Sequence, residues 1–382
     1  MSKKDSESEA PRYLVDSVVR ACEILRAFRR RDERLTLTEV ASRTGLTNSR
    51  SFRLLRTLQH EGLLERADGN SYRLRIAPLE RPRYRIGFAG QTPDSAFARE
   101  VAESVRQAAA ARNVQLVEVD NRFSVEAALR GADHLIRERV DAAIEFQTFA
   151  EAAPAVAAKF REAGTPLIAV DIPHPGAVFF GADNYRAGLI AGRFLGAWAK
   201  RNGCARPDRI VLLGMSVSGP LTESRLEGTL AGLAERIQID ERRVLRVDGG
   251  GTFEGGLEAG RRVLRPGDKA LISAINDPSA LGLLRAAEEA GAVQTCAAVS
   301  QGASAEGRRE LRRPGTRLLG SVGYFPERYG EQLLELAAKL LDGEPVPPAV
   351  FVEHEMITPA NVDLRYAGDV VAAELAAGTE SY

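Results

Sequence analysis

The chain has 382 residues, 44% hydrophobic and 27% charged, and its 52 basic and 52 acidic side chains cancel. That length exceeds one ordinary domain and allows two or three substantial cores in a soluble globular protein. No apolar run approaches the roughly 18 to 20 residues that span a bilayer, which excludes a transmembrane helix.

The opening stretch MSKKDSESEA is polar and has no apolar signal-peptide core, so residues 1–12 are expected to be a disordered tail and the protein cytoplasmic. The three cysteines, Cys22, Cys204 and Cys296, are far apart, odd in number and without C-x-x-C spacing, and read as buried inert thiols. The zero net charge hides a segregation. Residues 12–85 hold 17 Arg and no Lys against 9 Asp and Glu, a balance of +8, and residues 1–11 carry −1, so residues 86–382 carry −7. A basic N-terminal module on an acidic body implies that only the small part meets a polyanion.

Between 13 and 30, Val15, Val18, Val19, Cys22, Ile24, Leu25 and Phe28 recur at a helical period, the mark of a first helix. In "LTLTEVASRTG", Thr38 is expected to cap a short second helix that Gly45 ends, and Thr47 or Asn48 to cap a third that stops at Gly62. At 100° per residue, Phe52, Leu54, Leu55 and Leu58 of this third helix fall on one arc, and Ser49, Arg50, Arg53, Arg56 and Thr57 on the other. The first arc predicts core and the second a row of donors. Two short helices around a glycine turn, the second with a cationic face, form a helix-turn-helix whose second helix fits the major groove. Arginine suits that face because its planar fork reaches guanine O6 and N7 together, or grips phosphate. "LLERADGNSYRL" then predicts two short strands around an Asp-Gly-Asn turn, the wing.

The order of these pieces, with the Leu-Thr-Glu-Val-Ala, Gly-Leu and Arg-Leu-Leu-x-Thr-Leu positions, resembles the winged helix-turn-helix of the IclR family of bacterial transcription regulators over residues 13–76. The resemblance places Thr47, Asn48, Ser49, Arg50 and Arg53 on or near base edges and the wing around Arg73 on phosphate; Arg56 continues the donor row.

"IAPLERPRYR" has two prolines and no apolar period, so residues 77–84 are expected to be a linker. From 85 onward, short β-rich apolar runs alternate with helical stretches: "YRIGFAG", "VQLVEVD", "VDAAIEF" and "TPLIAVD", then "RIVLLGM", "RVLRVDGG", "KALISAIND" and "QTCAAVS", each followed by a helix. This alternation predicts an α/β body with parallel sheets, two lobes joined in series with a cleft between them, over residues 85–355, and a C-terminal segment over 356–382. Ligands of such sheets bind beyond the carboxyl ends of the strands. The residues there are Gln91 to Phe97, Phe146, Gln147, Asp171, Ser216 to Arg225, Asn276 with Asp277, Gln301 and Tyr324, a polar and aromatic mixture suited to a sugar-sized molecule.

"TPLIAVD", "GADNYRAGLIAGRFL", "LTESRLEGTLAGL" and "INDPSALGLLRAAEEAG" resemble the type I periplasmic sugar-binding fold, shared by ribose-binding proteins and LacI-family effector domains, over about 83–352. By that resemblance Phe97 stacks on sugar, Asp171 and Arg225 take hydroxyls, and Asn276 supplies an amide, while Asp277 is expected to cap the next helix. Ile172, Gln301 and Tyr324 depart from the family pattern, which implies a ligand other than ribose.

No paired carboxylates, zinc spacing or nucleophile elbow is present, and "VDGGGTFEGG" lacks the spacing and the lysine of a phosphate loop. No enzyme activity, cofactor or metal is expected. His60, His134, His174 and His354 are scattered, and His174, between two prolines, reads as a loop filler. The expected function is a ligand-responsive, DNA-binding homodimer that takes operator DNA and a carbohydrate effector. The alternative is a sugar receptor whose N-terminal module docks onto protein.

Overall fold

The computed structural model describes residues 14–30, 32–75 and 82–369; the expected tail 1–12 and most of the expected linker lie outside them. The chain divides into two units between Arg83 and Tyr84.

The first unit comprises α1 (Asp16–Ala27), β1 (Leu35–Thr36), α2 (Leu37–Thr44), α3 (Asn48–His60), β2 (Leu64–Ala67) and β3 (Ser71–Leu74), with the strands paired antiparallel in the order β1-β3-β2. Ile24, Leu25, Phe28, Leu35, Val40, Leu55, Leu58, Leu64, Tyr72 and Leu74 form its core. The cap of α2 is Thr36 rather than the expected Thr38. Thr36 still has extended backbone because it pairs with Ser71, and it completes a capping box with Glu39. Gly45 ends α2 with φ 69°, and the Thr47 hydroxyl accepts the Arg50 N–H to start α3. Phe52 does not join the core. It lies at the border of the buried arc and is exposed, and Ser51 takes the inward position instead. Cys22 is half-buried, while Cys204 and Cys296 are buried as expected.

The second unit is built on two six-stranded sheets. One has the order β14-β8-β7-β6-β4-β5, from β4 (Arg85–Gly90), β5 (Gln115–Asp120), β6 (Ala142–Phe146), β7 (Leu167–Val170), β8 (Val178–Gly181) and β14 (Ala349–Phe351). The other has the order β10-β9-β11-β12-β13-β15, from β9 (Arg209–Gly214), β10 (Val244–Asp248), β11 (Ala270–Ala274), β12 (Cys296–Gly302), β13 (Leu318–Gly323) and β15 (Glu355–Ile357). Every pairing is parallel except β15 with β13. Helices α4 (Ala96–Ala111), α5 (Val125–Arg137) and α6 (Ala153–Glu162) serve the first lobe. Helices α7 (Asn184–Arg201), α8 (Gly219–Ala234), α9 (Phe253–Val263), α10 (Asp277–Glu289) and α11 (Ala305–Arg312) serve the second.

The lobes are not simply in series, as the alternation suggested. After β13 the chain returns to the first lobe through α12 (Tyr329–Leu341), which packs on α4, and through β14, which pairs with β8; it then crosses back to add β15 beside β13, and α13 (Val362–Arg365) is the last element among the described residues. The body also runs past the expected limit at 355, since Val362 and Tyr366 join the hydrophobic core of the second lobe.

Helices α7 and α8 touch backbone to backbone. A Cβ placed on Gly188 would lie 1.9 Å from the Arg225 carbonyl oxygen, and one on Gly192 would lie 2.0 Å from that of Thr229. Only glycine permits this approach, which fixes the height of α8 and so of Arg225, the residue it delivers to the space between the lobes.

Candidate functional site

On α3 the buried face holds Ser51, Leu55 and Leu58, and the opposite face presents Ser49, Arg53, Arg56 and His60 to solvent. Thr47 and Asn48, at the exposed start of the helix, flank that row. Arg53 and Arg56 make no ion pair with the described residues. Arg50 differs: it sits on the flank and forms an ion pair with Asp16 of α1. On the wing, Arg73 is exposed and paired across the strands with Glu65. Arg43 donates to the Ala27 carbonyl and to Glu33, both at 2.8 Å, which locks α2 against the end of α1 and sets the platform for α3.

Between the lobes of the second unit is a cavity of about 110 Å³. All eight expected ligand residues, Phe97, Phe146, Gln147, Asp171, Arg225, Asn276, Gln301 and Tyr324, line it. They divide by what their polar atoms already do. Gln147 spends its carbonyl oxygen on the Thr148 and Phe149 N–H groups at 2.7 and 3.2 Å and its amide on Glu145. Asn276, not Asp277, caps α10: its Oδ1 accepts the Ser279 N–H at 3.1 Å, and its Nδ2 donates to the Gly251 carbonyl at 2.7 Å. Asp277 is instead fully buried and accepts from Ser300, Ser321 and the Ser304 N–H, which pins α11 to the wall. Those residues build the cavity more than they address its contents.

The others line the cavity with polar capacity to spare. Asp171 has φ 62°, a strained value for a non-glycine residue, and its Oδ1 is buried without a partner. Burial pushes its carboxyl up to about 6, while Arg225 and the Ala182 N–H pull the other way. Arg225 donates Nε to Asn184 at 2.5 Å and Nη1 to the Ile275 carbonyl at 3.0 Å, and its guanidinium lies 5.0 Å from the Tyr324 ring centre. Gln301 accepts the Tyr324 hydroxyl at 2.8 Å and leaves Nε2 buried with no partner. Phe97 stands edge-on to Phe146 and Tyr324 at 6.4 and 6.3 Å, so an aromatic corner bounds the polar groups.

Thr148 and Ser218 complete the set, each with a buried, partnerless hydroxyl on the lining. Sequence reasoning missed Thr148, whose signal was its place one residue beyond Gln147, and did not single out Ser218 within the range 216–225. His174 holds its own loop, donating Nδ1 to the Ile172 carbonyl at 2.8 Å, and does not line the cavity. His354 accepts the Asp183 N–H at 3.0 Å and packs on Tyr324; burial pushes it down to about 4, so the ring is neutral. Among the described residues no cluster of His, Cys, Asp and Glu is arranged to hold a metal ion, and no helix is long and apolar enough to cross a membrane.

Two families match the chain in separate stretches: an IclR helix-turn-helix domain over residues 17–68 and a periplasmic binding protein domain over residues 86–345. Both are families of binding domains rather than enzymes. No curated protein matches. Among solved structures, a solute-binding protein of an ABC transporter from Bacillus halodurans C-125 with bound myo-inositol aligns with a TM-score of 0.64 at 18% identity, covering 76% of this chain and 99% of its own. A second, from Actinobacillus succinogenes 130z with bound D-allose, gives 0.64 at 18% identity, covering 74% and 100%. A protein from Mycobacterium smegmatis in complex with β-D-fucofuranose gives 0.61 at 23% identity, covering 76% and 98%. At such identities the likeness establishes the two-lobed fold. With the match spanning both lobes and the cavity between them, the chain belongs to the periplasmic binding protein domain family, and it carries an IclR helix-turn-helix domain ahead of that fold.

Proposed function

We propose that this protein is a cytoplasmic transcription regulator whose affinity for operator DNA is set by a sugar or sugar derivative held between the two lobes. The observation that carries the reading is a pairing within one chain. A winged helix exposes Arg53 and Arg56 without ion-pair partners among the described residues, and a cavity is lined by four residues, Thr148, Asp171, Ser218 and Gln301, that each hold a buried polar atom without a partner. Buried polar groups are ordinarily satisfied, so four orphans around one space ask for a ligand rich in hydroxyls. The named ligands of the similar structures, an inositol and two sugars, have that chemistry.

On DNA, Thr47, Asn48, Ser49, Arg53 and Arg56 face the major groove, with Arg50 reaching it from the flank and Arg73 meeting backbone phosphate from the wing. One head reads one half-site, and a homodimer, as in LacI-family regulators, reads two with the gain of effective concentration. Leu14, Val15 and Val18, apolar and exposed at the head of α1, are the surface through which two heads pair. Ligand changes operator affinity only through its preference for one arrangement of the lobes.

A thermal-shift panel of sugars, polyols and sugar acids on the full chain tests the ligand half, because a molecule bound only by the native state raises the melting temperature. The expected hit is lost in Asp171→Ala and Arg225→Ala. The competing role, an N-terminal module that docks onto protein, predicts no binding to duplex DNA, whereas phosphate contacts predict binding that weakens steeply with salt.

A further inference from the structure

One residue outside the cavity ties its two walls together. Arg308, on α11 of the second lobe, has a side chain only 6% exposed and uses all five of its N–H donors. Nη1 donates to the Ala303 carbonyl at 2.8 Å and to Glu100 at 3.2 Å; Nη2 donates to Glu100 at 3.1 Å and to Asp369 at 3.1 Å; Nε donates to Asp369 at 2.7 Å. Glu100 belongs to α4 of the first lobe. It follows Phe97, a lining residue, by three positions, as Arg308 follows the lining residue Ser304 by four. The bidentate pair therefore spans one lip of the cavity. At another contact between the lobes, a Cβ on Gly219 would lie 2.8 Å from that of Ala150, so the lobes also meet there.

The third partner, Asp369, lies just beyond α13. The stretch 361–369 is anchored on the second lobe by Val362 and Tyr366, the latter stacked on Phe325 and lying 4.2 Å beneath the Arg308 guanidinium. Arg312, paired with Asp363 at 2.7 Å and Asp369 at 3.0 Å, fixes the strap in place.

The geometry points to a conformational device: the 361–369 strap aims Arg308 at Glu100 and so latches the lobes closed over the cavity. Opening the lobes exchanges the two charge-assisted bonds to Glu100 for water, and because Asp369 and the Ala303 carbonyl already hold the guanidinium in position, re-forming that bidentate pair favours closure. Closure thus has a driving force of its own, independent of what the cavity holds. Without Asp369 the guanidinium loses the two bonds that orient it, and the latch weakens although Glu100 is untouched.

Double electron–electron resonance on the full-length, ligand-free protein tests this, with spin labels at Glu151→Cys and Val217→Cys, both exposed near the Ala150–Gly219 contact, in a Cys22→Ser background. The expected result is a short, closed distance populated without ligand. Glu100→Gln and Asp369→Asn should each lower the closed-to-open ratio about tenfold, and the double variant should go little further because both act through one arginine. Circular dichroism melts check that the variants fold. A wild-type protein showing only the open distance would overturn the latch, as would ratios unmoved by Glu100→Gln in folded protein. An Asp369→Asn variant that behaves as wild type would overturn the strap. The readout involves neither sugar nor DNA, so its failure is distinct from failure of the proposed function.

Discussion

The Tyr324 hydroxyl donates to Gln301 Oε1 at 2.8 Å, and this one bond fixes the orientation of the Gln301 amide in the cavity wall. With the carbonyl oxygen engaged, Nε2 is left as a buried donor in need of an acceptor. Tyr324→Phe should free the amide to flip and present its oxygen instead. Calorimetry with the sugar from the thermal-shift panel should show affinity falling about tenfold, near the worth of one buried hydrogen bond. Unchanged affinity would mean that Gln301 does not address the ligand.

Asp171 sets the pH dependence of that same binding. Its carboxyl, pushed up to about 6 by burial with Arg225 opposing, is ionised at pH 7.5 and half protonated near pH 6. A ligand hydroxyl that donates to the carboxylate favours the ionised form. Affinity should therefore be full above about pH 7 and fall up to tenfold per unit as pH drops below 6. Asp171→Asn should bind more weakly and lose the dependence. Equal slopes in both proteins would assign the titration to another group.

On α3 the arginines are not equivalent. Arg53 and Arg56 point outward without ion-pair partners among the described residues, and Arg50 is engaged by Asp16. Alanine at 53 or 56 should weaken duplex binding, measured by fluorescence anisotropy over a salt series. A phosphate contact lowers the log–log salt slope by about 1, while a base contact leaves the slope and costs roughly 1–3 kcal/mol of specificity. Folded variants with wild-type affinity would remove the donor row from the interface.

Much of this was legible in the sequence, and what was not has a common cause. Gly45 and Thr47 carry local conformational demands, so the turn and the start of α3 could be read directly. The cap at Thr36 could not, because the choice between two threonines depends on pairing with Ser71, distant along the chain. Strand ends pointed to the cavity residues, since parallel strands of one lobe share a carboxyl edge. The interleaving of the lobes was hidden because β8, β14 and β15 are three or four residues long, and β14 pairs with a strand some 170 positions earlier. The commitments of Gln147 and Asn276, and the roles of Thr148 and Ser218, depend on neighbours that only the fold supplies.

Glu145 is a further residue that pattern gave no reason to notice. It lies fully buried in β6, its carboxylate oxygen Oε1 receiving Asn121 at 2.9 Å and Gln147 at 3.4 Å, and burial pushes its carboxyl up to about 8. The folded state then binds a proton that the unfolded state releases near pH 4.5. Stability from this group is greatest below that value and declines as pH rises to about 8. Chemical denaturation should show a loss of about 2 kcal/mol between pH 6 and 8.5, which Glu145→Gln should remove. A Glu145→Gln protein that keeps the full decline would place its source elsewhere.

In the proposed regulator one molecule joins the two binding activities. The most direct test of this is the affinity of the full chain for a duplex selected from a random pool, measured by anisotropy with and without the sugar that stabilises the protein. The expected result is a change of five-fold or more in either direction that disappears in Asp171→Ala. Tight duplex binding that is indifferent to saturating sugar would contradict it.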